Sequence, residues 1–353
     1  MPLRSRQPTI RARVPLRLGL AGGGTDLSPY CDQFGGAVLN TTIDRYAYAF
    51  IEPSDNGRVQ FVAPDLAIEE DFPLDLDALS QGRLGLHAGV ARRMLTEFGD
   101  AKIRPMRITS YVDAPPGSGL GSSSALVVAL VEAFTALLAA PLGPYDVAHV
   151  AWEIERIDLG LAGGKQDQYA ATFGGTNFIE FHSGDRVIVN PLRVASPVLN
   201  ELETSMVVCF TGVSRRSEAI IIEQQHGMTN GPDDVPAGGV IESLHQLKRD
   251  AVEMKEALLR GQIPRMADIL NRSWAAKKRT ASGISTGRIE ALYELAFANG
   301  AIGGKVSGAG GGGFMMFIVP PERRIAVVRA LNRAGGTASG VHLTGEGAES
   351  WTV

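Results

Sequence analysis

Glycine is concentrated in four short segments of this chain, and that distribution constrains the fold more than any other feature. Of 353 residues, 42 are glycine, and 20 of these lie in the windows 19–24, 117–121, 160–175 and 300–313. The rest of the chain has an ordinary glycine content of roughly 7 %. Because the excess is clustered, lacks a G-X-Y period and lies among apolar runs, collagen-like and low-complexity structures are excluded. The sequence predicts a globular protein with four glycine-rich sites.

Length, charge and cysteine content narrow the function classes. At roughly 100–200 residues per domain, the chain is long enough for two domains. A formal net charge of −4 creates no field that would hold nucleic acid or an anionic membrane, so neither partner is predicted. Cys31 and Cys209 form no CxxC pair and offer no disulfide framework or zinc site.

The sequence also carries no predicted targeting or membrane segment. The start, MPLRSRQPTI, lacks the apolar core of a signal peptide. The longest apolar stretch, 125–140, is interrupted by Glu132 and is too short to span a bilayer. We therefore expect a cytoplasmic protein.

Hydrophobic patterning predicts an α+β protein of two domains, 1–195 and 196–353. A strand over 9–20 leads into the first glycine window, and a hairpin is predicted from segments 46–52 and 58–63, turning at 55–57. Helices are predicted over 86–98, 122–138, 146–159, 166–172, 242–259, 263–279, 289–299 and 323–334, and further strands over 106–112, 206–211, 305–307 and 314–319.

The window PPGSGLGSSS, residues 115–124, lies between a predicted strand and the strongest predicted helix. Its successive N–H groups and the positive end of the helix dipole form an anion site suited to phosphate. The serine hydroxyls could cap the helix, bind phosphate oxygens or reach a magnesium ion. Three glycines and three serines exceed what helix capping alone requires. We therefore interpret this window as a phosphate loop.

Two other phosphate motifs fail in this sequence. A Walker loop requires GxxxxGK[ST], and no lysine follows Gly121. Residues 308–313 match GxGxxG literally, but the strand-like FMMFIV follows them where a dinucleotide fingerprint requires a helix. A Walker-type nucleotidase and an NAD-linked dehydrogenase are therefore excluded.

Three segments in order resemble motifs of the GHMP kinases. They are PLRLGLAGGGTD at 15–26, PPGSGLGSSSA at 115–125, similar to PxxxGLxSSA but with Ser124 where alanine is commoner, and KVSGAGGGG at 305–313. Order and spacing agree over about residues 10–320. The resemblance implies a two-domain GHMP kinase fold, with an N-terminal ribosomal-protein-S5-like domain and a C-terminal ferredoxin-like domain. It also implies ATP and Mg²⁺ as cofactors.

Within that superfamily, AGGGTD, GGKQDQYAATFGG and KVSGAGGGGFMMF look most like sugar 1-kinases acting on D-glycero-D-manno-heptose 7-phosphate. This resemblance implies phosphorylation of the anomeric hydroxyl to a 1,7-bisphosphate, on the route to GDP-heptose for surface polysaccharide. A sugar 1-kinase of fucokinase or galactokinase type and a catalytically silent sugar- and ATP-binding regulator remain as alternatives. A homo-oligomer also remains open.

The resemblance assigns roles to individual residues. Asp167 would be the catalytic base, with Arg17 stabilising the ionised acceptor oxygen, and Ser123 and Glu155 would hold magnesium. A solvated helix face is the alternative interpretation for Glu155, and a helix-capping carboxylate is the alternative for Asp167. The remaining cofactor-binding residues are Pro116, Gly117, Ser118, Gly119, Leu120, Gly121, Ser122 and Ser124.

The predicted substrate site combines the first and last glycine windows. Asp26 could accept two vicinal hydroxyl groups of a sugar, and the last window would close over the substrate from the second domain. The other predicted substrate-binding residues are Arg13, Gly23, Gly24, Thr25, Lys165, Ser307, Gly308, Ala309, Gly310 and Gly311. Candidates for binding a sugar phosphate are Arg11, Arg13, Arg215, Arg216, Lys277, Lys278 and Arg279, although a basic run is commonly a solvated face.

Overall fold

A computed structural model describes residues 8–214, 217–229 and 239–353. Its α-helices are α1 Tyr30–Phe34, α2 Gly85–Phe98, α3 Ser122–Leu138, α4 Pro144–Glu153, α5 Gln166–Phe173, α6 Ser196–Ser205, α7 Ser217–Thr229, α8 Val240–Leu259, α9 Ile263–Lys277, α10 Gly287–Ala298 and α11 Arg324–Arg333. Its strands are β1 Ile10–Ala21, β2 Gly36–Pro53, β3 Val59–Ala63, β4 Ile68–Phe72, β5 Met106–Val112, β6 Thr176–Phe181, β7 Val187–Pro191, β8 Met206–Phe210, β9 Gly303–Val306, β10 Phe314–Ile318, β11 Thr337–Ser339, β12 Leu343–Thr344 and β13 Glu349–Thr352.

The first sheet has the strand order β13-β1-β2-β5-β3-β4, with β6 and β12 also pairing with β2 and β7 pairing with β6. The predicted hairpin between 46–52 and 58–63 is wrong, because β5 lies between β2 and β3. Strand β5 pairs antiparallel with β2 and parallel with β3. The chain does reverse direction near the turn predicted at 55–57, but the strand that lies between β2 and β3 is β5, which begins about fifty residues further along the chain.

The second sheet has the order β11-β8-β10-β9, and its two faces bury different cores. Alternate residues of a strand point to opposite faces. In β10, Met315 and Phe317 join the core cluster beneath α10 and α11, whereas Met316 and Ile318 join the large cluster shared with the first sheet. The two sheets are therefore joined through one continuous apolar core.

Helix α3 lies in the middle of that core and packs on β1 and β2. Its small apolar residues allow this close packing, and its bounds match the prediction. The predicted serine cap is not formed: Gly121, in the left-handed conformation with φ 75°, occupies the N-cap position and Ser122 is the first helical residue. The amide groups at the start of α3 are thus free of side-chain caps.

The predicted helix over 146–159 is interrupted. Helix α4 ends at Glu153, and a π-helical turn, Ile154–Asp158, follows it. π-Helical turns are rare in proteins, and those that do occur are often found at functional sites. This one leaves Glu155 only 1 % exposed, so its carboxylate does not lie on a solvated helix face.

The end of the chain returns to the first sheet, where β12 pairs with β2 and β13 pairs with β1. The division into 1–195 and 196–353 stays a prediction, with the addition that residues 343–352 hydrogen-bond to strands of the first part. Among the described residues, no helix combines the length and the apolar character needed to cross a bilayer.

Candidate active site

A cavity of about 470 Å³ lies where the four glycine windows meet. Each window contributes lining residues, including Gly23, Gly121, Gly164 and Gly308. The segments are far apart in sequence and come from both sheets, so only the tertiary fold brings them together. A cavity of this volume falls in the range of small-molecule sites.

Asp167 and Arg17 form the central ion pair of this cavity. Helix α5 begins at Gln166, so Asp167 lies in its first turn, where the helix dipole favours a carboxylate. The Arg17 Nε and Nη2 groups donate to Asp167 Oδ1 at 2.8 and 2.6 Å, and Nη1 donates to the Gly119 carbonyl at 2.7 Å. The guanidinium is buried and the carboxylate is about a quarter exposed. The contact predicted through the resemblance is therefore present, with the carboxylate open to the cavity.

The predicted phosphate loop lines one wall of the cavity. Gly117, Gly119 and Gly121 all have positive φ, from 70° to 77°, a conformation that glycine adopts without strain. The predicted cofactor-binding residues that line the cavity are Pro116, Gly117, Gly119, Gly121, Ser122, Ser123 and Ser124. Ser118 and Leu120 are buried behind this wall instead. The Ser118 hydroxyl accepts the Leu120 N–H, so these two residues shape the loop.

Ser123 and Glu155, the residues predicted to hold magnesium, are in contact. The Ser123 hydroxyl donates to Glu155 Oε1 at 3.2 Å. The Gln168 side-chain amide donates to the other carboxylate oxygen, and Arg156 Nη2 lies 3.8 Å from it. A buried carboxylate beside a hydroxyl, at the mouth of a phosphate loop, is a donor set that suits Mg²⁺, which takes oxygen ligands and retains waters. In the described part of the chain, no group of three or more acidic, histidine or cysteine side chains is arranged so that it could hold a metal ion by itself.

The first glycine window is held against α5 by Asp26. Its carboxylate accepts the backbone N–H of Gln166 at 3.1 Å, the Gln166 side-chain amide at 3.0 Å and the Gly24 N–H at 3.1 Å. Asp26 lines the cavity together with Gly23 and Gly24. Thr25 does not: its hydroxyl is buried and hydrogen-bonds to backbone groups of Gly22 and Ala37. The prediction of Thr25 as a sugar contact is therefore replaced by a role in shaping the turn.

Two basic residues predicted to bind substrate lie outside the cavity lining. Arg13 forms an ion pair with Glu349 at 2.8 Å and stacks over Tyr46, because β13 returns beside β1. Lys165 is buried, donates to Asp185 and lies over the Trp152 ring. Both charges are already satisfied by side chains that local sequence does not place beside them.

The C-terminal glycine window packs against the phosphate loop. The Ser307 hydroxyl donates to the Gly119 carbonyl at 2.9 Å, so Ser307 supports the loop and does not face the cavity. Gly308 and Ala309 line the cavity. Gly310 and Gly311 do not: Gly311 N–H bonds the Ile284 carbonyl at 2.8 Å, and a Cβ at Gly310 would collide with Ile284.

Lys277 and Lys305 add two positive charges to the cavity lining. Burial lowers the pKa of Lys277 to about 8 and that of Lys305 to about 7. Lys277 was predicted among the basic candidates, whereas Lys305 was quoted only as the start of the third motif. The sequence feature that could have identified Lys305 is its position as a charged residue inside an otherwise apolar strand.

Of the other candidates for binding a sugar phosphate, Arg11 is exposed on β1, Lys278 pairs with Glu290 at 3.1 Å and Arg279 bonds the Ala275 carbonyl. Arg215 and Arg216 lie outside the described residues.

Comparison with known proteins agrees with this geometry. The model of the GHMP kinases N terminal domain matches residues 85–175, and that of the GHMP kinases C terminal domain matches 254–337. A D-glycero-alpha-D-manno-heptose 7-phosphate kinase of Campylobacter jejuni is 42 % identical over 345 residues, covering 98 % of this chain and 99 % of the relative.

Solved structures agree on the fold. The crystal structure of a D-glycero-D-manno-heptose 1-phosphate kinase from Bacteroides thetaiotaomicron superimposes with a TM-score of 0.82 at 40 % identity, covering 98 % of this chain and 99 % of that one. Galactokinase of Lactococcus lactis shares the fold at 18 % identity, with a TM-score of 0.72 over 97 % of this chain and 95 % of its own. The predicted α+β, two-domain fold is thus confirmed, and the chain belongs to the GHMP kinase family.

Proposed function

We propose that this kinase transfers the γ-phosphoryl group of ATP to the anomeric C1 hydroxyl of D-glycero-D-manno-heptose 7-phosphate, giving the 1,7-bisphosphate on the route to GDP-heptose. The observation that carries the chemistry is the Arg17–Asp167 pair facing the cavity beside the phosphate loop. The full-length similarity to a heptose 7-phosphate kinase supports the choice of acceptor. We also propose that the enzyme acts in the cytoplasm, where ATP is available.

In this proposal, the amide groups at the start of α3 bind the ATP phosphates, as helix N-termini do for anions. Ser123 and Glu155 would hold Mg²⁺, which when bound neutralises charge on the phosphates. Asp167 accepts the proton of the C1 hydroxyl, or orients that hydroxyl, at the wall next to the loop. The Arg17 guanidinium holds the Asp167 carboxylate in place through two hydrogen bonds, and its positive charge stabilises the negative charge that develops on the acceptor oxygen.

The test is a coupled assay of ADP formation with purified protein and Mg²⁺. It compares heptose 7-phosphate, heptose 1-phosphate, unphosphorylated heptose, fucose and galactose. We expect the highest kcat/KM with heptose 7-phosphate and a product phosphorylated at C1 by phosphorus NMR. Turnover of fucose or galactose without turnover of heptose 7-phosphate would overturn the choice of acceptor, and no turnover of any sugar would favour the regulator.

A further inference from the structure

Two buried ammonium groups in the cavity have no partner in the described structure. Lys277 and Lys305 are each 6 % exposed, and both line the cavity. Among the described residues, neither side-chain ammonium group makes a hydrogen bond or an ion pair within 4 Å. Burying an unpaired charge costs several kcal/mol. The buried Lys165, by contrast, is paired with Asp185.

The carboxylates that face these lysines already have other partners. Asp26, Asp167 and Arg17 act electrostatically on Lys277, while Lys277, Arg17 and Asp250 act on Lys305. Asp26 accepts N–H groups of the first window and of α5, and Asp167 accepts from Arg17. Asp250 is bound by Arg272 at 2.6 Å and by Ser273. Positive charge is therefore in excess at this wall of the cavity.

Lys277 lies at the side of the cavity formed by the first glycine window. A Cβ built on Gly23 would lie 3.8 Å from Lys277 Nζ, and Asp26 is the first of the charges that act on this ammonium group. The phosphate loop has its own backbone donors. The two lysines are thus placed for a second anion.

We propose that Lys277 and Lys305 together form the subsite that binds the phosphate monoester of the acceptor sugar. The inference rests on the proposed function, since it assumes an acceptor that carries a phosphate away from its reacting hydroxyl. A dianionic monoester would accept charge-assisted hydrogen bonds from both ammonium groups. An unphosphorylated sugar would leave two buried cations unpaired, and a site built in this way rejects analogues that lack the bonding group.

The test uses Lys277→Met and Lys305→Met, which remove the charge and keep most of the side-chain volume. Lys278→Met is the matched control, because Lys278 is the next residue along and pairs with Glu290. For each protein, kcat/KM is measured with heptose 7-phosphate and with unphosphorylated heptose. We expect the ratio of the two values to fall at least about tenfold in each cavity variant and to stay unchanged in the control.

Thermal unfolding of the variants without ligand separates binding from folding. Since methionine removes an unpaired buried charge, the cavity variants should be at least as stable as the wild type. A large drop in kcat for both sugars, with the ratio of their two kcat/KM values unchanged, would overturn the proposal. That result would instead assign the lysines to binding of the transferred phosphoryl group. A higher KM for ATP with the sugar ratio unchanged would overturn it as well.

Binding of inorganic phosphate, measured by calorimetry with the nucleotide site saturated by MgADP, tests the subsite without assuming the sugar. Phosphate should bind the wild type and Lys278→Met more tightly than the cavity variants. Because the pKa values of the lysines are about 7 and 8, this binding should take up protons at pH 8 and weaken as the pH rises from 7 to 9.

Equal phosphate binding by all four proteins would refute the subsite even if heptose 7-phosphate is the substrate. Loss of phosphate binding in the variants, without turnover of that sugar by the wild type, would refute the proposed function alone.

Discussion

Two positions in the glycine-rich loops beside the cavity, Gly121 in the phosphate loop and Gly313 in the C-terminal loop, require glycine for different reasons. In the phosphate loop, a Cβ at Gly121 would contact the Asp167 and Arg17 side chains at 3.4 and 3.5 Å, which is ordinary van der Waals distance. Glycine is needed there for its positive φ, which leaves the first amide groups of α3 facing the cavity. Space is available at Gly121, so the constraint there is conformational. Gly119 of the same loop differs, because its Cβ would overlap the Ser307 carbonyl oxygen.

In the C-terminal loop, glycine is needed because another backbone segment occupies the space. A Cβ at Gly312 or Gly313 would lie under 3.0 Å from the Val213 or Ser118 carbonyl oxygen. The Phe314 N–H also bonds the Ser118 carbonyl at 2.7 Å. This loop therefore joins the second sheet to the base of the phosphate loop. A glycine-rich segment can be part of an active site by supporting it, without contacting the ligand.

The largest effect should come from the side chain that faces the cavity beside the phosphate loop. In Asp167→Ala, the C1 hydroxyl loses the group that orients it and accepts its proton, so kcat should fall about 10³-fold. ATP binding, measured by calorimetry, should be retained because the loop backbone is unchanged. Asp268→Ala, at an exposed position on α9, is the control and should keep wild-type turnover. Near-normal turnover in Asp167→Ala would place the reacting hydroxyl elsewhere.

Gly313→Ala should cost more stability than an alanine substitution at a glycine that has the same backbone conformation and open space around it. The new methyl group would overlap the Ser118 carbonyl, and φ is 78°, so we expect the free energy of unfolding to fall by about 3 kcal/mol. Gly57→Ala has a similar φ of 71° with open space around it, and it should cost about 1 kcal/mol. Chemical denaturation of both variants measures the difference. Equal losses would mean that Gly313, like Gly121, is required only for its backbone conformation.

Compared with Gly313→Ala, Gly121→Ala should reduce stability less and should specifically reduce activity. Its loss of stability should match that of Gly184→Ala, about 1 kcal/mol, since φ is 75° and 69° at the two sites and neither methyl group meets backbone. The strained φ would nevertheless shift the backbone at the start of α3, beside the Arg17–Asp167 pair, and lower kcat/KM about tenfold. Steady-state kinetics at 25 °C would check this; normal kinetics would show that the pair tolerates displacement.

The sequence predicted the parts of the site that depend on motif order. Ser123 and Glu155, and likewise Arg17 and Asp167, were paired through the resemblance and are in contact in the structure. Helix α3 was predicted with its observed bounds because a long, Ala-rich apolar run has a strong local signal. The catalytic and metal-binding roles of these residues remain predictions until the variants are measured.

Predictions that depended on what lies beside a residue were less successful. Arg13 and Lys165 carry the charge expected of a phosphate site, but Glu349 and Asp185 pair with them. The hairpin over 46–63 was wrong because β5 lies between its two strands. Charge and turn signals are local properties, whereas a salt bridge or a strand order depends on residues distant in the chain.

By itself, the sequence determined that this chain is a globular α+β protein with a glycine- and serine-rich loop at the start of a buried helix, and it predicted that this loop binds phosphate. Glycine, serine and apolar periodicity act through local backbone conformation, which a short segment carries with it. Only the tertiary structure decided which buried charges are paired and which face the cavity. The clustered glycines have the same local freedom in all four windows. Whether that freedom exposes amide groups to a ligand or lets two backbone segments pack depends on which distant segment lies opposite, as Ser118 lies opposite Gly313.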